Sequence, residues 1–145
     1  MKNVSPYPCI WFDHQAKEAA DFYCSIFPNC NILSSNPFVT LVEINGSKIM
    51  CLNGGPSFPQ TEAFSLVISC DTQEEIDYYW NHLTKNGTES KCGWLKDQFG
   101  VSWQVVPSKL GEWMAHPQKG QAIMQAFLKM SKFDIPTLLA IIHQD

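Results

Sequence analysis

The feature that most constrains this chain is a plan that it states twice: a strand, an amphipathic helix, then a hairpin. In the first statement Cys9-Ile10-Trp11-Phe12 reads as a short strand, and Asp13 stands where a helix N-cap accepts from unpaired backbone amides. Ala16, Ala19, Ala20, Tyr23, Ile26 and Phe27 then fall at helical spacing along one face, and Pro28-Asn29 ends the run. After a short polar segment, Phe38 to Ile44 is rich in β-formers, Asn45-Gly46 is a hairpin turn signal, and Lys48 to Leu52 is the partner strand. A Gly- and Pro-rich linker closes this half by Gln60. The second statement opens with a strand over Phe64 to Cys70, with Asp71 as the predicted cap and Glu74 as its capping-box partner. Ile76, Tyr79, Trp80 and Leu83 mark the helix face, and Asn86-Gly87 stops it. Cys92 to Lys96, the turn Asp97-Gln98-Phe99-Gly100 and Val101 to Val106 make the second hairpin.

The two statements share a register. Ala19, Phe22, Tyr23 and Ile26 recur 57 residues later as Ile76, Tyr79, Trp80 and Leu83, and the turn glycines Gly46 and Gly100 lie 54 apart. A long period present only twice indicates duplication, not a solenoid. The predicted fold class is α+β: one domain over residues 1–145, with a first module at 1–58, a second at 62–107 and a helical extension at 108–145. In the extension, Gln118 to Met130 is a predicted amphipathic helix, and Asp134 with Pro136 opens a last helix through Ile142. These helices are expected to cover a sheet edge or a partner chain, the stripe Ile123, Ala126, Phe127 and Met130 being the surface for a homodimer.

Composition narrows the function classes. With 45% hydrophobic and 17% charged residues and a formal charge of −4, the chain has the makeup of a folded domain and no basic stripe for nucleic acid. No apolar run approaches the ~20 residues of a membrane span, and the first residues lack the apolar core of a signal peptide, so a cytoplasmic protein is expected. No two of the six cysteines have Cys-x-x-Cys spacing, and reduced thiols are the expectation.

Several segments together resemble a known family. They are Trp11-Phe12-Asp13 with Phe22-Tyr23, Met50 to Pro56, Cys92 to Asp97, Phe99 to Pro107, and Met124 to Met130. They resemble the PhnB-like proteins described as a 3-demethylubiquinone 3-methyltransferase domain, within the vicinal-oxygen-chelate superfamily of glyoxalases, extradiol dioxygenases and bleomycin-resistance proteins. The resemblance implies two βαβββ modules whose sheets curl into cups around a ligand cavity. Metal-dependent relatives place His, Glu or Gln at four inward positions. Those positions fall here on Pro8, Met50, Phe64 or Ser65, and Gln104, of which only Gln104 is a plausible metal ligand. Neither a metal nor a cofactor is therefore expected.

Other chemistry has little support in the residues. Gly54-Gly55-Pro56 follows a hairpin strand, unlike the strand-to-helix glycine loop of S-adenosylmethionine enzymes. His14, His82, His116 and His143 pair with no evident nucleophile. Gln104, Met50, Trp94, Asn53 and Trp11 fit an apolar pocket with few polar groups, Trp103 lining or backing it. The function expected is metal-free binding of a small apolar or aromatic molecule. The alternatives are an enzyme matching the methyltransferase description and an antibiotic-sequestering protein.

Overall fold

The computed structural model describes residues 1–145, which divide into two compact units, Met1–Gln60 and Thr61–Asp145. In the first, the apolar segment after Pro8 forms β1 (Cys9–Phe12), and the helical-spaced run forms α1 (Ala16–Ile26). Three strands follow: β2 (Cys30–Ser35), β3 (Val39–Ile44) and β4 (Ser47–Asn53). The sheet order is β1-β4-β3-β2, with β1 parallel to β4 and the other pairs antiparallel. Asn45 and Gly46 both take positive φ (49° and 88°), the geometry that makes Asn-Gly a tight hairpin turn.

The second unit repeats the plan with β5 (Leu66–Cys70), α2 (Gln73–Thr84), β6 (Thr88–Glu89), β7 (Trp94–Lys96) and β8 (Ser102–Pro107). Its order is β5-β8-β7-β6, again with the first pair parallel and the rest antiparallel. The duplication read from the helix faces thus extends to strand order and direction. Each unit is β-α-β-β-β, one strand richer than the strand–helix–hairpin plan of the residue pattern. The extra strands are β2, which is mostly exposed and bulged near Leu33, and the two-residue β6. An exposed edge strand shows no clean alternation of apolar residues, so the sequence pattern does not reveal it.

Helix packing divides each sheet into a covered and an open face. Strand alternation sends Ile10, Phe12, Val42, Ile49 and Cys51 to the buried side of the first sheet, where Ala16, Ala19, Ala20, Tyr23 and Ile26 of α1 are also buried. In the second sheet Leu95, Trp103, Val105 and Cys70 are buried, as are Ile76, Trp80 and Leu83 of α2.

The helix starts differ from expectation. Gln15, not Asp13, is the N-cap of α1 and supplies no side-chain bond, while the Ala16 amide donates to Oδ1 of Asn53 at 2.8 Å. In α2 the capping box shifts one residue along: Thr72 Oγ1 accepts from the Glu75 amide and donates to the Glu75 carboxylate, each at 3.1 Å. Asp71 instead accepts from Ser108 Oγ at 2.6 Å. Asp134 caps the last helix as expected, accepting from the Thr137 amide at 3.2 Å.

That last part of the chain belongs to the second unit. It forms α3 (Leu110–Met114), which the sequence pattern did not mark, α4 (Gly120–Phe127) and α5 (Ile135–Ile142). Cys92 and Gly93 donate to the carbonyls of Met130 and Ser131, both at 2.8 Å, and the Gln73 amide bridges the Phe133 carbonyl and the Ile135 N–H. The tail therefore packs beside β7 and the start of α2. The stripe expected to face a partner is partly used within its own unit: Ile123 and Phe127 are buried, with the Phe127 and Phe133 rings 5.5 Å apart, while Ala126 and Met130 are half-buried. Only Met124 and Leu128, on the other side of α4, are exposed large apolar side chains of that helix and its cap.

The expectation of reduced cysteines also needs correction. Cys24, near the end of α1, is disulfide-bonded to Cys30 at the start of β2. Cys51 and Cys70 are the buried free thiols, Cys92 is half-buried and Cys9 exposed.

Candidate ligand-binding faces

The open faces carry four of the five sequence-predicted site residues, Met50, Trp11, Gln104 and Trp94, and register fixes their neighbours. On the first sheet Met50 stands beside Cys9 on one side and Leu41 on the other, and Leu52 stands between Trp11 and Val39. Cross-strand partners project to the same side, so these residues share the face away from α1. Met50, Leu52, Leu41, Val39 and Trp11 are all half-buried, as expected of an apolar surface without a helix on it.

The second sheet has an equivalent arrangement. Gln104 stands between Val67 and Trp94, Val106 beside Ser69, and Ser102 beside Lys96. Gln104 occupies in β8 the place that Met50 occupies in β4. The expected alternation holds: Gln104 is half-buried on the open side, while Trp103 and Val105 are buried against the helical side. Trp103 is thus a core residue. Its indole N–H donates to Asp97 Oδ2 at 2.9 Å, and Asp97 Oδ1 accepts from the Phe99 and Val101 amides at 2.9 and 3.0 Å.

Two of the five candidates have their polar groups committed within the first unit. Asn53 accepts from Ala16 and donates to the Pro37 carbonyl at 3.1 Å, so its amide holds α1 and a loop in place. Trp11 donates its indole N–H to the Gly55 carbonyl at 2.8 Å and meets Phe58 edge-on at 4.9 Å. Its ring lies so close to Gly54 that a Cβ there would fall inside the indole. Trp11 stays on the open face beside Leu52, whereas Asn53, the cross-strand partner of Phe12, lies on the helix side. Met50, Gln104 and Trp94 join Trp11 as open-face residues.

The four positions carried over from metal-dependent relatives come together pairwise. The Met50 amide donates to the Pro8 carbonyl at 2.9 Å, and Gln104 Nε2 donates to Ser65 Oγ at 3.0 Å. The side chains present are a pyrrolidine ring, a thioether, a neutral hydroxyl and an amide, without imidazole or carboxylate. That set does not fit a divalent cation such as zinc or manganese. The Gln104–Ser65 bond leaves the amide oxygen unclaimed by any protein donor.

A cavity of about 450 Å³ opens in the second unit, lined by residues that include Trp94, Ser102, Lys96, Glu62 and Cys92. Lys96 is ion-paired with Glu62. The sequence pattern did not single out Ser102, Lys96 or Glu62. A hydroxyl in an alternating strand and a surface-type ion pair carry no signal until the register puts them together. Elsewhere, burial pushes the Cys51 and Cys70 thiols up to about 12, which keeps them as protonated core residues.

Comparison with known proteins agrees with this architecture. A family model described as 3-demethylubiquinone-9 3-methyltransferase matches residues 5–106. A protein of Bacillus cereus, described as a putative 3-demethylubiquinone-9 3-methyltransferase, PhnB protein, is 29% identical. The match covers 71% of this chain and 99% of that one, with a TM-score of 0.64. Protein PA1353 of Pseudomonas aeruginosa is 18% identical over 72% of this chain and 98% of its own, with a TM-score of 0.60. The fosfomycin resistance protein FosX of Listeria monocytogenes, solved with Mn(II) and sulfate, is 15% identical over 77% of this chain and 95% of its own, with a TM-score of 0.59. No curated protein matches. With its paired β-α-β-β-β units of vicinal-oxygen-chelate type, this chain belongs to the PhnB-like family described as 3-demethylubiquinone-9 3-methyltransferase.

Proposed function

We propose that the chain is a metal-independent protein that binds a small apolar or aromatic molecule on an open sheet face. One observation carries the reading. Each sheet keeps a half-buried face free of helix, apolar around Met50 in one unit and bearing the single amide of Gln104 in the other. An apolar wall with few convergent polar groups is the usual make-up of a small-molecule site. Gln104 presents an unclaimed oxygen, which suits a neutral donor on an otherwise apolar ligand. Mass spectrometry of the natively purified protein is the test, with a co-purifying organic molecule as the expected result. Gln104→Ala should then weaken that ligand by about 0.5–1.5 kcal/mol without lowering thermal stability. Loss of stability with unchanged affinity would reduce Gln104 to a prop for Ser65.

The family description favours a second reading, methyl transfer. The residues here do not fit S-adenosylmethionine, because Gly54 and Gly55 serve as packing and hydrogen-bond partners of Trp11. A clear calorimetric isotherm at micromolar S-adenosylmethionine would restore it. The reading also includes a cytoplasmic homodimer. No helix is long and apolar enough to cross a membrane.

A further inference from the structure

The binding reading above leaves the ligand's chemistry open, and the 450 Å³ cavity of the second unit narrows it. We propose that this cavity takes a small aromatic carboxylic acid, whose carboxylate replaces Glu62 at Lys96 and accepts a hydrogen bond from Ser102 while its ring lies against Trp94.

The first support is Ser102. It is 2% exposed, it lines the cavity, and its Oγ is buried without any hydrogen-bond partner. Buried hydroxyls are nearly always paired, so an orphan on a cavity wall marks a bond left for something else to make. Register supplies the second support. Lys96 stands directly across from Ser102 on the same face of the sheet, so an ammonium and a hydroxyl, the combination that recognises a carboxylate, belong to cross-strand neighbours. Lys96 already holds one carboxylate, that of Glu62, whose carboxyl it keeps below the usual range. Glu62 is 61% exposed in its side chain and precedes β5, outside any strand or helix. A solvent-screened pair of this kind is weak, and a ligand carboxylate that also bonds Ser102 exchanges it at small cost. The remaining charges of the wall agree. Glu89 is tied to the Trp80 indole N–H at 2.9 Å, whereas Lys91 has no acidic partner. Trp94, half-buried two residue pairs along and on the same face, offers an aromatic face for a ring.

The test uses the full chain with 2-naphthoate and its neutral analogue 2-naphthamide, titrated by calorimetry at neutral pH and low salt. Naphthoate should bind at least tenfold more tightly than the amide. Lys96→Met should abolish that preference, and Ser102→Ala should weaken naphthoate three- to tenfold. Glu62→Gln, by removing the internal competitor, should strengthen it. Ser102→Ala deletes an unpaired hydroxyl, so its thermal stability should be unchanged or raised, which separates lost binding from lost folding. Equal affinity for acid and amide, or naphthoate binding indifferent to Ser102→Ala and Lys96→Met, overturns the proposal. If naphthoate fails to bind while a co-purified neutral ligand binds through Gln104, this inference falls and the broader binding reading stands. If neither probe binds and nothing co-purifies, both fall.

Discussion

Asp97 shows how much of a turn can rest on one carboxylate. It is 3% exposed, and its two oxygens accept from two backbone amides and the Trp103 indole. A buried charge is tolerable only when its lone pairs are filled in this way. Asp97→Asn puts an N–H where a donor must be accepted, and should cost about 2–3 kcal/mol in chemical denaturation. A loss below about 0.5 kcal/mol would mean that these bonds add little to the stability of the turn. Cysteine reactivity gives a second residue-scale prediction. Native alkylation at mildly alkaline pH should label Cys9 and Cys92 first, with Cys51 and Cys70 protected until the protein unfolds. Cys24 and Cys30 should stay unlabelled until a reductant is added, and labelling of either in the native protein without reductant would contradict their pairing. At this scale the sequence was legible where alternation sorts residues. Gln104 and Trp103 fell on opposite faces as read. It was illegible where a partner lies far along the chain: nothing near Asn53 announces that its amide serves Ala16, 37 residues away.

Among the elements, the helices and central strands were readable because burial on one side imprints a period. β2, β6 and α3 carry no such imprint, being exposed or very short. The tail was half-read. The period of α4 was visible, but an apolar stripe looks the same whether it meets its own unit or a second chain, and here it meets Phe133. Gly93 is where that packing is tightest. Its φ is +79°, and a Cβ would lie 2.6 Å from the Val105 carbonyl oxygen and 2.7 Å from the Phe133 ring. Gly93→Ala should therefore destabilise the protein by about 2–4 kcal/mol, because both the left-handed backbone and the overlap act against it. Thermal or urea unfolding would read the loss. An unchanged midpoint would show that the tail and β7 can move apart freely.

For the whole molecule, the repeated helix spacing forecast two like units, and the structure gives them matching strand order and direction. What no pattern forecast is the surface used for pairing, since Ile123 and Phe127 of the stripe that suggested a dimer are interior. We still expect a two-fold pair, the commonest oligomer, and light scattering at micromolar concentration should give about twice the 16.4 kDa chain mass. A value equal to the chain mass would settle the matter against pairing. The far-off cap on α1 bears on how the chain acquires its shape. Asn53 is the last residue of β4, so α1, which precedes that strand in the chain, starts with an amide that no protein acceptor meets until the final strand of its unit docks. Asn53→Ala should cost about 1–2 kcal/mol, and stopped-flow kinetics would show where the cost lands. If the cap closes only after the barrier, the variant unfolds faster and refolds at the native rate. The helix would then be written ahead of the strand that caps it and signed only after that strand is in place.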